Sequence, residues 1–345
     1  VHTYNYLAFM ILVTGANGLV GSYLCRYLIM QGTPLRALKR PDSNLRLVSD
    51  IAHKIEWVDG DVNDVMSLEA AMQGIEKVYH CAAIISYSKK NADKLMLVNV
   101  EGTANVVNIA LEFGVKKLVH LSSIAAVGKT GRDCETVVED TPWERKNFTS
   151  NYAISKFLAE REVWRAIAEG LNAVIINPSI IVGAGNWDSG SCKLFTTVYN
   201  GFKYYTEGVT GYVDVRDVVK IATQLMESDI TEQRFIVNAE NVMYRDFLQT
   251  IGAGLNVQGP TVKAGKNLSA LAWRVEWVKS LFNGKEPSVT KQTAAIANKK
   301  VFYNNEKIKQ TLDYQFIPIR ESINNAAKCF LEEKKDNQFH PLSFK

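Results

Sequence analysis

Residues 14–21 read TGANGLVG, directly after an apolar run from Leu7 to Val13 and at the head of a helical pattern from Leu19 to Met30. Three glycines, Gly15, Gly18 and Gly21, recur every third residue where a strand gives way to a helix. Such a turn can be purely structural. It can also cradle a diphosphate on backbone amides and a helix N-terminus. Gly15 then permits the tight turn, Gly18 the close approach of the phosphate, and Gly21 close packing of helix on strand. The usual dinucleotide fingerprint is written GxGxxG, and this stretch departs from it, so the flanking chain has to decide.

Short aliphatic runs at Met10–Val13, Leu35–Leu38, Ile55–Val58, Lys77–Cys81, Lys117–Leu121 and Ala173–Ile176 predict strands. Between them, Leu19–Met30, Val65–Met72, Leu95–Phe113 and Tyr152–Ala168 carry helical patterns; Val100, Ala104, Val107 and Leu111 fall on one face. Strands that are apolar on both faces and alternate with helices imply a parallel sheet covered on both sides, the doubly wound α/β class. Ligands bind at the carboxyl ends of the strands in that class, which is where the glycine turn falls. The context therefore favours dinucleotide binding by Gly15, Gly18, Leu19, Val20 and Gly21.

After Pro178 the pattern loosens. GAGNWDSGS (183–191) reads as a loop, Asp214–Met226, Tyr244–Ile251 and Leu268–Leu281 as helices, and Arg234–Asn238 as a strand. The expected division is a dinucleotide-binding part over 10–178, to which 212–238 returns, and a substrate-binding part over 179–211 and 239–335. No low-complexity linker separates them, so the two parts are expected to pack directly.

A chain of 345 residues can bury a substantial core, and its net charge of +4 is too small and dispersed to point to nucleic acid. The five cysteines (Cys25, Cys81, Cys134, Cys192, Cys329) form no CxxC pair and share no zinc-ligand spacing with a histidine. No metal site and a reducing compartment are expected. No apolar run reaches membrane-spanning length, and the opening VHTYNYLAF lacks a basic n-region and cleavage site. A cytoplasmic protein is the expectation, with Met10 as its natural start and the first nine residues an extension. The cluster Glu332–Lys335 reads as part of a solvated terminal helix.

In NYAISKFLAE (151–160), Tyr152 and Lys156 stand four apart on one helical face. A tyrosine hydroxyl ionises near pH ~10 and is a poor acid or base at neutral pH. A nearby ammonium stabilises the phenolate and lowers that value, making the pair a general acid/base for carbonyl–alcohol chemistry. Ser122 and Ser123, in HLSSIAAVG (120–128), follow a predicted strand at the ligand-binding edge. His80 and His120 lie inside strand patterns and read as satisfied core histidines.

Together Gly15-x-x-Gly18-x-x-Gly21, Ser123 and Tyr152-x-x-x-Lys156 resemble the extended short-chain dehydrogenase/reductase superfamily. So do GDVND (60–64), HCAA (80–83), NVEGTANV (99–106), NPSIIVGAG (177–185) and GYVDVRDVV (211–219), in the family's order. The resemblance implies a Rossmann domain with a smaller, mixed C-terminal part. It implies Tyr152 as proton donor and acceptor, Lys156 on the nicotinamide ribose, and Ser123 on the substrate oxygen. Asp61 and Val62 match the adenine contacts, Ala82 and Ala83 the wall along the cofactor, and Pro178 the nicotinamide-side loop. Asn99 matches a partly structural position.

The second predicted strand ends in LRALKRPDS, without an acidic residue placed to bind a ribose 2′-hydroxyl. Arg40, helped by Lys39, stands where a 2′-phosphate needs a cation, which favours NADP, with NAD the alternative. The family's sugar-nucleotide dehydratases carry an Asp-Glu pair after the position of Ser123; here Ile124 and Ala125 follow. Its epimerases carry a diphosphate-binding arginine where this chain has Thr210. The pattern is closer to the dihydroflavonol reductase and 3β-hydroxysteroid dehydrogenase branch. Trp187, Phe195, Tyr199, Phe202, Tyr204 and Tyr205 could line a pocket for a bulky apolar ligand, or be ordinary core. An NAD(P)-dependent oxidoreductase with a small-molecule substrate is the reading, against a nucleotide-sugar epimerase or a non-enzymatic cofactor sensor. No nucleic acid or membrane partner is expected. Monomer and homodimer remain open, the latter pairing the helices Leu95–Phe113 and Tyr152–Ala168.

Overall fold

The computed structural model describes residues 10–129, 135–144, 150–265 and 297–344. Residues 1–9, Cys134 and the helix expected over Leu268–Leu281 lie outside them.

Alternation along each strand builds the core. In β1 (Met10–Thr14), Ile11 and Val13 enter one cluster, with Tyr23 and Val218, while Leu12 enters another, with Leu68, Val78 and Leu118. Both faces are therefore apolar, and both are covered by helices. The strands β2 (Leu35–Lys39), β3 (Glu56–Asp59), β4 (Ile75–His80), β5 (Lys117–Leu121), β7 (Ala173–Pro178) and β11 (Gln233–Val237) join β1 in a seven-stranded sheet. Its order is β11-β7-β5-β4-β1-β2-β3 and every pairing is parallel. The order reverses between β1 and β4, which is the crevice where this architecture takes its ligand.

The helices α1 (Leu19–Met30) and α2 (Val65–Met72) end where the periodicity predicts. The stretch expected as one helix over Leu95–Phe113 is instead α3 (Ala92–Leu95), a π-helical turn at Met96–Glu101, and α4 (Gly102–Glu112). That widened turn carries Asn99, whose side chain is wanted by the neighbouring loop. Helix α5 (Asn151–Ala168) packs beside α4 and begins with Ser150 accepting from the Ala153 amide (3.1 Å).

Most of the strands that patterning did not find are short. The strand β6 (Glu135–Val137) pairs with β14 (Val301–Tyr303), and β8 (Ile180–Val182), β10 (Val209–Asp214) and β12 (Glu240–Met243) form a second sheet. The pair β9 (Tyr204–Tyr205) and β13 (Val262–Lys263) is a third small element. Around them stand α6 (Lys193–Tyr199), α7 (Val215–Glu227), α8 (Tyr244–Gly254) and a C-terminal helix, Ile319–Asp336. One core cluster runs through α1, α7, α8 and that helix. Glu333 is not solvated: its carboxylate accepts from Trp187 Nε1 (2.9 Å) and pairs with Arg46. No helix among the described residues is long and apolar enough to cross a membrane.

Candidate active site

Four adjacent strands end at the carboxyl edge of the sheet, at Thr14, Lys39, Asp59 and His80, with Thr14 opposite Leu38 and His80. Gly15 turns there with φ of +70°, and a Cβ on it would lie 2.7 Å from the Ala82 nitrogen. A Cβ on Gly21 would lie 2.1 Å from the Gly15 carbonyl oxygen, so helix and turn touch through bare backbone. Gly18 is the N-cap of α1, exposed, with no side-chain cap, and the first turn holds no acidic residue. The leading amides of α1 are thus left for an anion, and the helix dipole favours one. These residues fit a dinucleotide diphosphate.

The flanking residues fall along the same edge. Leu19 packs under Gly185, Val20 is buried, and the Ala82 amide donates to Thr14 Oγ1 (3.2 Å), with Ala83 exposed beside it. Asp61 Oδ1 accepts from the Asn63 amide (3.0 Å), and Val62 packs against Gly102. Pro178 ends β7. Arg40, just past β2, is 57% exposed and only loosely paired with Asp42 at 3.5 Å. Lys39 does not assist it, because its ammonium pairs with Asp59 on the next strand. A cavity of about 580 Å³ opens beside this loop, lined by Asn17, Asn44, Arg46 and Lys334 among others. Arg46 was missed by sequence reasoning, but Glu333 already neutralises it.

The second cluster forms where β5 ends. Ser123 caps a short turn, its Oγ accepting from the Ala125 amide (3.1 Å) and hydrogen-bonding the Tyr152 phenol. Tyr152 is 7% exposed and Lys156 is 2% exposed, with Lys156 Nζ donating to the Leu121 carbonyl (2.9 Å). The expected lowering of the tyrosine's pKa is not what the fold produces. Burial raises it above its ordinary value, and only the Ser123 contact pulls it back. Burial also pushes the Lys156 ammonium down to about 8, against the pull of Glu160. Tyr152 is therefore a neutral hydroxyl, ready to donate a proton.

Behind them lie the two histidines, which differ. Thr14 Oγ1 accepts from Ala82 and so donates to His80 Nδ1 (2.8 Å), while His80 Nε2 donates to Thr103 (2.9 Å), whose proton goes to the Asn99 carbonyl (2.6 Å). Burial holds His80 down to about 3, a satisfied core residue. His120 is not satisfied. Both its ring nitrogens are buried without a partner, and desolvation together with Lys156 keeps it neutral. Asn99 bonds both backbone groups of Ile84 (2.8 and 3.0 Å) and Ser155 Oγ (3.0 Å), so its role here is to fasten the loop after β4 to α5.

Of the two readings of the aromatics, the ordinary core is the one that Phe195 and most of Trp187 follow, although Trp187 also borders the cavity. Trp187 and Phe195 are core beneath Phe330, and Tyr199 and Tyr204 are exposed. One other tyrosine meets the site, with two more beside it. Tyr87 meets the Tyr152 ring edge-on at 5.8 Å, and its hydroxyl, pushed up to about 12 by burial, also feels Tyr244 and Tyr303. Tyr244 hydrogen-bonds Thr210. No local pattern could have found them, since they come from a loop, a helix start and a late strand.

The NAD dependent epimerase/dehydratase family matches residues 11–238. The chain belongs to that family. Over 92% of its length it is 30% identical to a Synechocystis protein named "Putative dihydroflavonol 4-reductase", covering 93% of that chain. It is 31% identical to the sterol demethylase protein B of Methylococcus capsulatus, over 69% of this chain and 72% of that one. Among solved structures, gox2253 superposes with a TM-score of 0.80 at 30% identity, over 96% of this chain and 99% of that one. As a family member it is an NAD(P)-dependent oxidoreductase of the extended short-chain dehydrogenase/reductase type.

Proposed function

We propose that this enzyme uses NADP(H) to interconvert a carbonyl and a secondary alcohol on an uncharged, largely apolar small molecule. The observation that carries this is the meeting of Ser123, Tyr152 and Lys156 at the sheet edge, while neither Thr210 nor Arg216 offers a free cation to a diphosphate. Thr210 is bonded to Tyr244. Arg216 is held bidentate by Asp214 (3.0 and 2.8 Å) and also donates to the Ser343 carbonyl (3.1 Å), so it cannot serve a diphosphate. Lys193 and Lys203 are solvent-exposed. Burying two phosphates beside that wall unpaired is very costly. Elimination chemistry also lacks its acids, because Ile124 is packed with Val127 and Val137 and Ala125 has no functional group.

In the reductive direction the Ser123 and Tyr152 hydroxyls grip the carbonyl oxygen, and Tyr152 delivers its proton as negative charge builds there. Charged Lys156 stabilises the phenolate left behind. The glycine turn, Asp61, Val62 and Ala82 would hold the dinucleotide, which supplies the hydride when bound. Tyr87, packed on the Tyr152 ring, would help exclude water beside the reacting hydroxyl.

Purified enzyme is expected to oxidise NADPH in the presence of some member of an aromatic and alicyclic aldehyde and ketone panel. Calorimetric titration with UDP-, GDP- and dTDP-sugars, cofactor present, is expected to show nothing tighter than about millimolar affinity. Micromolar binding of any of them overturns this reading and restores an epimerase.

Arg40 is the residue we assign to the 2′-phosphate. Arg40→Ala is expected to weaken NADPH about tenfold and leave NADH nearly unchanged, as loss of one charge-assisted contact predicts. Wild-type protein that binds both cofactors equally removes the assignment.

A further inference from the structure

Glu160 lies one turn beyond Lys156 on α5, is 1% exposed, and has no part in the chemistry so far. Both carboxylate oxygens are engaged. Oε1 accepts from Ser122 Oγ (2.5 Å) and Asn177 Nδ2, and Oε2 from Arg234 Nη1 (3.2 Å) on β11. The Asn177 amide also donates to the Ser123 carbonyl (2.9 Å), and the Ser122 amide to the Ile176 carbonyl (2.8 Å). One buried carboxylate thus ties the segment that presents Ser123 to β7, β11 and α5.

The same carboxylate stands one turn along α5 from Lys156, near enough for its charge to oppose the burial of that ammonium. The other titratable groups around that ammonium are Tyr152 on its own helix, His80 on β4, Cys81 just after it, and His120 on β5. Each is neutral near pH 7: both histidines are held deprotonated by burial, and the Cys81 thiol is pushed up to about 12. Among the described residues Glu160 is the anion that opposes the desolvation of Lys156. A buried ammonium without such a partner gives up its proton.

The geometry points to Glu160 as a positioning residue that sets two parts of the site at once: it keeps Lys156 charged and it clamps the Ser122–Ser123 segment against β7. This rests on the acid/base reading above. Arg234 anchors the carboxylate from the far side, so that the charge is held rather than free to be neutralised.

The test reads Lys156 directly. In protein labelled with [¹³C]lysine, the Lys156 Cε signal, assigned by its loss in Lys156→Gln, is titrated by NMR with no substrate present. In Glu160→Gln the midpoint is expected to fall by about one pH unit or more. The alkaline limb of NADPH-dependent turnover, where the ammonium is lost, moves down with it, and kcat drops about tenfold. Because Glu160→Gln leaves the Arg234 guanidinium uncompensated, a double variant, Glu160→Gln/Arg234→Gln, replaces the ion pair by two amides. It is expected to regain thermal stability while its Lys156 midpoint stays low. A midpoint that is unchanged in Glu160→Gln, or that returns to the wild-type value in the double variant, overturns the proposal. Tyr152→Phe assayed in parallel separates the two readings: if it keeps turnover the acid/base assignment falls, while the lysine titration still judges Glu160 by itself.

Discussion

Tyr152→Phe is expected to lose about 10²–10⁴-fold in kcat while binding NADPH as tightly as the wild type. The change deletes one hydroxyl. That hydroxyl pairs with the Ser123 hydroxyl, and the ring's edge contact with Tyr87 at 5.8 Å is available to phenylalanine as well. Melting temperature is therefore expected to move by no more than a few degrees. Because burial raises the tyrosine's pKa, the group is a full proton donor across the neutral range, and the neutral-to-alkaline fall in activity belongs to Lys156, near 8. As pH rises through that value the ammonium is lost and the phenolate formed on proton delivery loses its counter-charge. Near wild-type turnover in the Phe variant, measured by NADPH absorbance, would sink the assignment.

The glycine turn gives the second large effect, and it divides between two positions. Gly21→Ala puts a methyl group 2.1 Å from the Gly15 oxygen and 2.8 Å from the Ala16 Cα, backbone that cannot swing aside. Overpacking of this kind costs about 1–3 kcal/mol or more, so both stability and cofactor affinity are expected to fall. Gly18→Ala meets only the Gly15 oxygen, at 3.2 Å, and faces solvent. It is expected to melt near the wild-type temperature yet bind NADPH at least about tenfold more weakly, because its methyl group fills the space the diphosphate needs. Melting curves and quenching of nucleotide fluorescence read the two effects separately. Normal NADPH affinity in Gly18→Ala removes the turn from the cofactor site.

Local pattern carried the expected strand–turn–helix unit and the alternation of strands with helices well. The boundaries of α1, α2 and β5 agree to the residue with the periodic stretches that predicted them, because each element buries one repeating set of side chains. It failed where a few residues answer to partners rather than to neighbours. The predicted single helix over Leu95–Phe113 opens into a π-turn because Asn99 must reach Ile84 and Ser155 at once. The strands β6 and β14 are three residues each, too short to show a period, and exist because they pair with each other.

What the sequence by itself determined is the glycine turn between β1 and α1, the alternation of strands with helices, and the placing of Tyr152 and Lys156 on one helix, all features set by local pattern. Only the tertiary structure decided which charges are available. Arg216, within the GYVDVRDVV stretch, is spent on Asp214, and Glu333, which reads as solvated, closes on Arg46 across 287 residues. His120 reads like His80 but is left unpaired, because only His80 stands between two threonine hydroxyls. Tyr87, from the loop after β4, meets the Tyr152 ring, with Tyr244 and Tyr303 beside Tyr87 in turn. The reason is common to all four: burial and ion pairing depend on what the folded chain brings within hydrogen-bonding distance, and a linear pattern holds no record of those distances.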